Sequence, residues 1–279
     1  MAEVQLEHRR GGSGEPLVLL HGIGSCLQVW DPVVATLEER HEVLALDLPG
    51  YGASPPVQGE PTVPALADAV EAALDGFGLD QPHLAGNSMG GWIAAELAAR
   101  GRAATVTTIS PAGLWTRREL LYSYAILRGS FALGALFGPR ADALTASAAG
   151  RGLLFGLFCA RPERIEPQAA AYQARVFAGS PSFVRTLDWI RREHAMPRGL
   201  ERIAVPFTVA WGTRDLLLLP RQAQRWERLV PRARLVWLAG LGHTPMADDP
   251  AVVAQTILEG AARAGGARPS PAPPAAEPA

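Results

Sequence analysis

The stretch Gly86-Asn87-Ser88-Met89-Gly90 matches the pattern G-x-S-x-G and lies between two segments of different periodicity. The preceding run, His83-Leu84-Ala85, predicts a short strand, and the following residues 92–99 predict a helix. A turn this sharp between a strand and a helix strains the backbone at Ser88, and the glycines at its two ends let the elements approach each other. The pattern predicts a nucleophilic Ser88; the alternative is a serine that only caps the helix.

Short apolar runs alternate with longer amphipathic segments along most of the chain. The other apolar runs predicted as strands are 17–20, 43–46, 106–109, 207–211 and 235–238. Strands that alternate with helices predict a mostly parallel sheet covered by helices on both faces. The fold class is therefore α/β.

The alternation of strands and helices is interrupted over residues 112–200. This segment has helical spacing and no strand pattern, which predicts a helical cap inserted into a core formed by residues 1–111 and 201–263. The cap carries twelve arginines against six acidic residues. The final segment, 264–279, is rich in alanine, proline and glycine and has little apolar bulk, which predicts a disordered tail.

A serine hydroxyl becomes a good nucleophile only when a base removes its proton. His243 is the predicted base, because it follows the last predicted strand in a glycine-rich loop and can reach across the carboxyl edge of the sheet. His8, His41 and His194 lie in charged segments, which predicts solvated side chains. His83 begins a strand and is predicted to be structural.

The base in turn needs a carboxylate that orients it and stabilises its charged form. Asp215 is predicted for this role, since it lies in the turn that follows the predicted strand 207–211. The alternative is a turn aspartate paired with Arg214. Asp248 and Asp249 are nearer to His243 along the chain, but they stand where the next helix starts and suit N-capping better.

The motif His21-Gly22-Ile23-Gly24 follows the first buried strand. Its glycines allow backbone N–H groups to point into a cavity, so the N–H groups of Ile23 and of Met89, the residue after Ser88, are the predicted oxyanion-hole donors. One such donor typically contributes about 10²–10³ in rate. A plain glycine turn is the alternative; a dinucleotide-binding loop is disfavoured because Leu27 stands where the third glycine would be.

Five motifs resemble the α/β-hydrolase superfamily in order and spacing, over about residues 4–263. They are HGIG at 21–24, DLPGYGAS at 47–54, GNSMGG at 86–91, GTRD at 212–215 and GHTPM at 242–246. The chain is similar to cap-bearing serine hydrolases of this superfamily. The resemblance implies the α/β-hydrolase fold, with an eight-stranded sheet and a helical cap between strands six and seven.

The resemblance also implies a mechanism. It implies a carboxylesterase or lipase-like enzyme that cleaves a carboxylic ester, or a similar acyl bond, through an acyl-enzyme on Ser88, with no metal and no organic cofactor. Relatives that open epoxides or remove halide have aspartate in place of Ser88. C–C bond hydrolysis of ring-cleavage products stays open, although Thr244 stands where those relatives commonly have tryptophan. A cofactor-free perhydrolase and a non-catalytic small-molecule receptor also remain alternatives.

All 26 basic residues are arginine. The absence of lysine excludes Schiff-base chemistry and a P-loop lysine. The formal net charge of −1 argues against a general nucleic-acid binder. Neither a nucleic acid nor a nucleotide is therefore expected, and the resemblance implies a small-molecule ester substrate as the partner.

The compartment is predicted from cysteine usage and hydropathy. Cys26 and Cys159 are far apart in the sequence, which predicts two buried, idle thiols rather than a disulfide. Residues 1–10 lack the apolar region of a signal peptide, and no run of about 18 uncharged apolar residues occurs, so no integral membrane segment is expected. We expect a soluble cytoplasmic protein, either a monomer or a homodimer.

Two apolar segments of the predicted cap, 131–137 and 153–158, favour an apolar acyl or aromatic substrate. The alternative is that these side chains form the core of the cap itself. The arginine excess would attract a carboxylated substrate or an anionic carrier, unless the arginines form a solvated face.

Overall fold

The central sheet has seven strands in a computed structural model that describes residues 6–266. The strands are β1 (His8–Gly12), β2 (Glu15–Leu20), β3 (His41–Leu46), β4 (His83–Asn87), β5 (Thr105–Ile109), β6 (Phe207–Gly212) and β7 (Ala233–Leu238). Their order across the sheet is β1-β3-β2-β4-β5-β6-β7. Strand β1 is antiparallel to β3, and the other neighbouring pairs are parallel. The predicted α/β class with a mostly parallel sheet is confirmed.

The implied count of eight strands is wrong for the described residues, which contain seven. Strand β1 also differs from the sequence analysis, which did not predict it. Its sequence, HRRGG, has no apolar run. It is an edge strand that pairs with β3 through the backbone, with Arg10 opposite Leu44. Backbone pairing at an edge leaves side chains free to be polar, so hydrophobic periodicity does not find such a strand.

Ten α-helices accompany the sheet in the described part of the chain. They are α1 (Asp31–Glu38), α2 (Val63–Gly76), α3 (Met89–Ala99), α4 (Arg117–Phe137), α5 (Ala141–Thr145), α6 (Ala148–Phe155), α7 (Pro167–Gly179), α8 (Phe183–Glu193), α9 (Ala223–Leu229) and α10 (Pro250–Ala262). Alternate residues of β2 face opposite sides: Val18 packs in the core with α2, α3 and α9, whereas Leu19 packs with α1 and α10. The sheet is therefore covered on both faces, as predicted.

Residues 112–200, the helical insertion, contain helices α4–α8 and, among these described residues, no strand. Helix α4 begins with a capping box, in which Thr116 and Glu119 satisfy each other's backbone N–H groups. The buried Glu119 carboxylate also accepts hydrogen bonds from Arg221, at 2.6 Å, and from Arg225, at 2.7 Å. Burial alone would raise the pKa of Glu119, but the bonds from Arg225, Thr116 and Arg221 outweigh it and lower that pKa to about 2. This ion cluster joins the insertion to the core at α9.

One helical stretch, Arg117–Thr145, is long and apolar enough by composition to cross a membrane. Arg128 interrupts its uncharged run, so this stretch does not match the pattern of about 18 uncharged apolar residues. A single such stretch is weak evidence for a span, and one face of α4 packs on the protein: Leu120 and Leu127 are buried, and the Ser123 hydroxyl donates to the carbonyl of Leu217 at 2.9 Å. The opposite face of the stretch is largely exposed.

The chain end was predicted to be a disordered tail from residue 264. The described residues end in a short 3₁₀ turn, Arg263–Gly266. The rest of that prediction, 267–279, lies outside the described residues.

Candidate active site

Ser88 has the strained backbone that the sequence pattern predicts, with φ 56° and ψ −117°. A positive φ costs a non-glycine residue about 1–3 kcal/mol, so the surrounding structure must hold it. The serine N–H donates to the carbonyl of Ile109 at 3.0 Å. A Cβ at Gly90 would collide with the backbone carbonyls of Leu20 and His21, and the strand and helix could then not approach each other. Glycine at this end of the turn is therefore a steric requirement.

Strand order explains why two loops that are distant in sequence meet at Ser88. The chain passes from β2 to β3 on one side and then to β4 on the other, so the order reverses between β2 and β4. Leu20 of β2 is paired with Gly86 of β4. The loop 21–24 and Ser88 therefore leave neighbouring strands at the carboxyl edge, where open α/β sheets form a crevice.

The peptide between Gly22 and Ile23 has a defined orientation. The Gly22 carbonyl accepts from the Ser25 N–H at 3.1 Å and lies 2.7 Å from Nδ1 of His21. In a trans peptide the carbonyl and the next N–H point in opposite directions, so the Ile23 N–H points away from these two partners. Gly22, Ile23 and Ser88 line one cavity.

His21 holds this loop as a neutral imidazole. Its Nε2 accepts the backbone N–H of Leu48 at 2.9 Å, so Nδ1 carries the proton that is donated to the Gly22 carbonyl. Burial lowers the pKa of His21, against the opposing field of Asp47. The side chain is fully buried and does not line the cavity. His21 thus supports the loop from behind.

Met89 is the first residue of α3 and its side chain is buried in the core. The N–H groups of a helix's first turn have no acceptor within the helix. The second predicted oxyanion donor, the Met89 N–H, therefore belongs to the turn that also carries Ser88.

His243 and Asp215 are in direct contact. Nδ1 of His243 lies 2.8 Å from Oδ2 of Asp215, and both side chains are buried. The other oxygen, Oδ1, accepts the N–H groups of Leu217 and Leu218 at 2.9 and 2.8 Å, which fixes the carboxylate. The two loops meet because β6 and β7 are parallel neighbours, with Gly212 paired to Leu238. Asp215 is therefore placed as predicted relative to His243.

Asn87 is a residue whose part in the site the sequence analysis missed. Its buried side-chain amide donates to the carbonyls of His243, at 2.9 Å, and Ile109, at 3.0 Å. One amide thus connects the turn that carries Ser88 with the loop that carries His243. A polar residue at the end of an otherwise buried strand is the signal that would have drawn attention to it.

Asp248 does not cap a helix, which corrects the interpretation given above. Its fully buried carboxylate accepts the N–H of Gly242 at 2.8 Å and, from the insertion, those of Ala160 and Arg161 at 3.0 and 2.7 Å. Asp249 does cap α10, by accepting the N–H of Val252 at 3.2 Å. Asp248 therefore connects the His243 loop to the insertion, which no local sequence signal indicates.

The remaining histidines and Cys26 lie outside this constellation, whereas Cys159 is among the residues that line the cavity. His41 was predicted to be solvated, but it is buried, bonded to the Glu15 carbonyl and packed against the ring of His83. Cys26 and Cys159 are buried and free, so the expectation of buried thiols rather than a disulfide is confirmed. Burial raises the pKa of the Cys26 thiol to about 12 and also raises that of Cys159.

Ser88 and His243 face a cavity of about 180 Å³ that the helical insertion covers with apolar side chains. Among those side chains are Leu127, Leu133, Leu153, Phe155, Phe158 and Phe177. Other aromatic residues of the insertion pack on one another instead, as Phe131 stacks on Phe183 at 4.7 Å. The apolar segments 131–137 and 153–158 therefore supply side chains both to the cavity wall and to the internal packing of the insertion.

The wall of the cavity is poor in charged side chains. No arginine is among the cavity-lining residues, all of which lie in the described range. The arginine excess of the insertion therefore does not favour a carboxylate inside the cavity. Within residues 6–266, no three His, Cys, Asp or Glu side chains are grouped closely enough to hold a metal ion.

Known proteins share this architecture. Epoxide hydrolase EphH of Mycobacterium tuberculosis is 33% identical over 201 residues, which cover 69% of this chain and 91% of that protein. A membrane phospholipase A, described as a bacterial virulence factor, superposes with a TM-score of 0.74 at 28% identity, over 92% of this chain and 83% of that one. The enol-lactonase of Burkholderia xenovorans LB400 superposes with a TM-score of 0.73 at 26% identity, over 91% and 95%.

The family model described as "Alpha/beta hydrolase family" matches residues 17–256, which include both sheet halves, the insertion and all the residues of the site. The match agrees with the five motifs and with the strand order found here. The chain belongs to the alpha/beta hydrolase family.

Proposed function

We propose that this protein is a serine hydrolase that cleaves carboxylic esters of apolar acids through an acyl-enzyme on Ser88. The observation that carries the proposal is the 2.8 Å contact between His243 and Asp215, with His243 and Ser88 on the wall of one apolar cavity. A buried carboxylate on one side of an imidazole and a serine on the other is the arrangement that activates a hydroxyl.

The first half-reaction uses the free nitrogen of His243. Because Nδ1 donates its proton to Asp215, Nε2 carries the lone pair that accepts the proton of the Ser88 hydroxyl. The serine oxygen attacks the ester carbonyl carbon, and the N–H groups of Ile23 and Met89 stabilise the resulting oxyanion. Collapse of the tetrahedral intermediate breaks the bond to the alcohol oxygen, which leaves with the proton from His243.

The second half-reaction consumes water. His243 removes a proton from a water molecule, and the hydroxide attacks the acyl carbon. The bond to the Ser88 oxygen breaks, the serine regains its proton from His243, and the carboxylic acid leaves. The net reaction is ester plus water giving acid plus alcohol.

The substrate class follows from the wall of the cavity. Leucine and phenylalanine side chains of the insertion, acting as a cap, would hold an apolar acyl chain, whereas no arginine is present to pair with a charged one. The names of two similar proteins, a phospholipase A and an enol-lactonase, also denote cleavage of ester bonds.

Epoxide opening, the activity named for one relative, conflicts with Ser88 as nucleophile. Attack of a serine oxygen on an epoxide carbon produces an ether, which water does not cleave at neutral pH. Attack on an ester carbonyl produces another ester, which water does cleave. The chemistry of the nucleophile therefore favours acyl transfer.

The proposal is tested with a fluorophosphonate probe and a series of p-nitrophenyl esters from acetate to dodecanoate. We expect the wild type to be labelled and to hydrolyse the medium-length esters best. Ser88→Ala should lose labelling and lower kcat by about four to six orders of magnitude. Ser130→Ala is the matched control for labelling, because Ser130 is another serine of the same cavity.

The outcomes separate the possible functions. Absence of labelling and of ester hydrolysis in the wild type would contradict the proposal and favour a receptor. Labelling of Ser88 without hydrolysis of any ester in the series would keep the nucleophile but overturn the substrate class. Equal labelling of Ser88→Ala and the wild type would show that Ser88 is not the nucleophile.

A further inference from the structure

Four exposed leucines of the helical insertion lie in two short segments, 133–136 and 153–157. They are Leu133, Leu136, Leu153 and Leu157, with exposed fractions of 50%, 66%, 65% and 44%. We call these four residues the leucine rim. On α4, Leu136 lies four residues after Ala132 and three after Leu133, so its side chain shares an exposed helix face with both. Apolar residues grouped in this way on a surface indicate a contact with something other than water.

The leucine rim is continuous with the cavity. Leu133, Leu153 and Leu157 are exposed and also belong to the cavity wall that contains Ser88. An apolar acyl chain that passes these side chains on its way to Ser88 would not have to cross a polar boundary. The rim therefore extends the apolar wall of the cavity to the protein surface.

The charges that border the rim along the chain are positive. Segments 129–139 and 152–160 contain no charged residue, and the residues that flank them are Arg128, Arg140, Arg151 and Arg161. Arg151 is buried and donates to carbonyls of the insertion, whereas Arg140 is exposed. Arg161 lies 4.0 Å from the carboxylate of Asp249, and Asp142, the acidic residue closest to Arg140 in the sequence, is paired with Arg175 at 2.8 Å.

This combination matches a lipid surface better than a second copy of the chain. An exposed apolar face with arginine at its edge suits the boundary between acyl chains and phosphate groups of anionic lipids. A symmetric dimer through the same face would instead bring the like-charged Arg140 side chains of the two copies towards each other.

We propose that the leucine rim rests on an anionic phospholipid surface and that the ester substrate enters the cavity from that surface. This inference rests on the ester hydrolysis proposed above for its substrate. It concerns a peripheral contact of the insertion, with the face of α4 that carries Ser123 still packed on the core.

The test measures vesicle binding separately from hydrolysis. The Ser88→Ala protein is sedimented with vesicles of phosphatidylcholine alone or mixed with phosphatidylglycerol, so that binding is observed without turnover. We expect binding to the anionic vesicles to be at least about fivefold stronger, which corresponds to one arginine near the surface. A Leu136→Glu substitution added to Ser88→Ala should weaken this binding about tenfold or more.

Leu229→Glu is the matched control, because Leu229 is 51% exposed but lies on α9, outside the insertion. It should bind vesicles as the parent does. In the background with Ser88 intact, Leu136→Glu should leave the hydrolysis of water-soluble p-nitrophenyl acetate unchanged, since Leu136 is not among the cavity-lining residues.

Three results would overturn the inference. They are no binding of Ser88→Ala to either kind of vesicle, equal weakening by Leu136→Glu and Leu229→Glu, and a dimer in solution that Leu136→Glu dissociates. Vesicle binding that does not depend on phosphatidylglycerol would overturn the assignment to anionic lipid. If the wild type hydrolysed no ester but vesicle binding still depended on Leu136, the proposed function alone would be contradicted.

Discussion

The carboxylate of Asp248 accepts a hydrogen bond at 2.8 Å from the backbone N–H of Gly242, the residue before His243. The same carboxylate accepts N–H groups of Ala160 and Arg161, so it joins the histidine loop to the helical insertion. A second bond, from the Thr244 N–H to the Phe158 carbonyl at 2.9 Å, reinforces this junction. Because Phe158 also lines the cavity, the placement of the base and of the cavity wall are linked.

Asp248→Ala should therefore impair both folding stability and turnover. One buried and two partly buried N–H groups would lose their acceptor, and a buried unsatisfied group costs about 1–3 kcal/mol, although partial relaxation reduces the sum. A shift of the His243 loop should lower kcat/KM by about 10- to 100-fold. Chemical unfolding and kcat/KM for p-nitrophenyl butyrate measure the two effects.

The adjacent Asp249→Ala is the control, because Asp249 caps α10 and has only a long contact, 4.0 Å, with the partly exposed side chain of Arg161. It should cost about 1 kcal/mol of stability and leave kcat/KM unchanged. If both variants lowered kcat/KM equally, the junction at Asp248 would have no specific effect on the site.

Asp215→Asn should lower kcat by about 10³- to 10⁴-fold with a much smaller change in KM. The amide cannot stabilise a charged imidazole, and its NH₂ group disfavours the tautomer of His243 with a proton on Nδ1. Initial-rate kinetics with p-nitrophenyl butyrate measure the loss. A variant that kept more than about a tenth of the wild-type kcat would point to another carboxylate as the partner of His243.

Gly90→Ala should prevent the strand and helix around Ser88 from approaching, because the added Cβ meets the carbonyls of Leu20 and His21. We expect the free energy of unfolding to fall by about 1–3 kcal/mol or more, which is the loss that overpacking produces. Thermal unfolding measures it, together with labelling of Ser88 by the fluorophosphonate probe.

Gly129→Ala provides the opposite case. Gly129 lies within α4, and a Cβ there would meet no atom within 4 Å. Alanine should stabilise the protein by about 0.5–1 kcal/mol, because glycine is the poorer helix former. A destabilising effect of this substitution would mean that the exposed face of α4 is covered in solution.

Glu119→Gln should make stability less dependent on pH in the acidic range. The folded-state pKa of Glu119, about 2, lies below the ordinary value of 4.5, so the carboxylate contributes stability above about pH 4.5 and loses it as the pH falls towards 2. The contribution is up to about 3 kcal/mol, from the 1.36 kcal/mol that each pKa unit represents.

Urea unfolding at pH 7, 4 and 3 measures this difference between Glu119→Gln and the wild type. The gap should be largest at pH 7 and should narrow as the pH decreases. The exposed Glu227→Gln is the control and should follow the wild type at each pH. A gap that stayed constant with pH would show that the charge of Glu119 is not what joins the insertion to α9.

Much of the fold was predictable from local patterns. The six apolar runs predicted as strands all lie within observed strands, because buried parallel strands must be continuously apolar. The edge strand β1 and the helix α1 were not predicted. Strand β1 is held by backbone pairing with β3, which leaves no hydrophobic period in its sequence.

The sharp turn at Ser88, the glycine loop 21–24 and the polar loops after β6 and β7 were predictable, because they depend on residues close together in the chain. The bond from Asn87 to the carbonyl of His243 and the bond between Asp248 and Arg161 were not, because they join residues 156 and 87 positions apart. Tertiary structure also decided which leucines face the cavity and which face solvent. Hydrogen bonding and burial at such separations depend on strand order and helix packing, which local residue patterns do not encode.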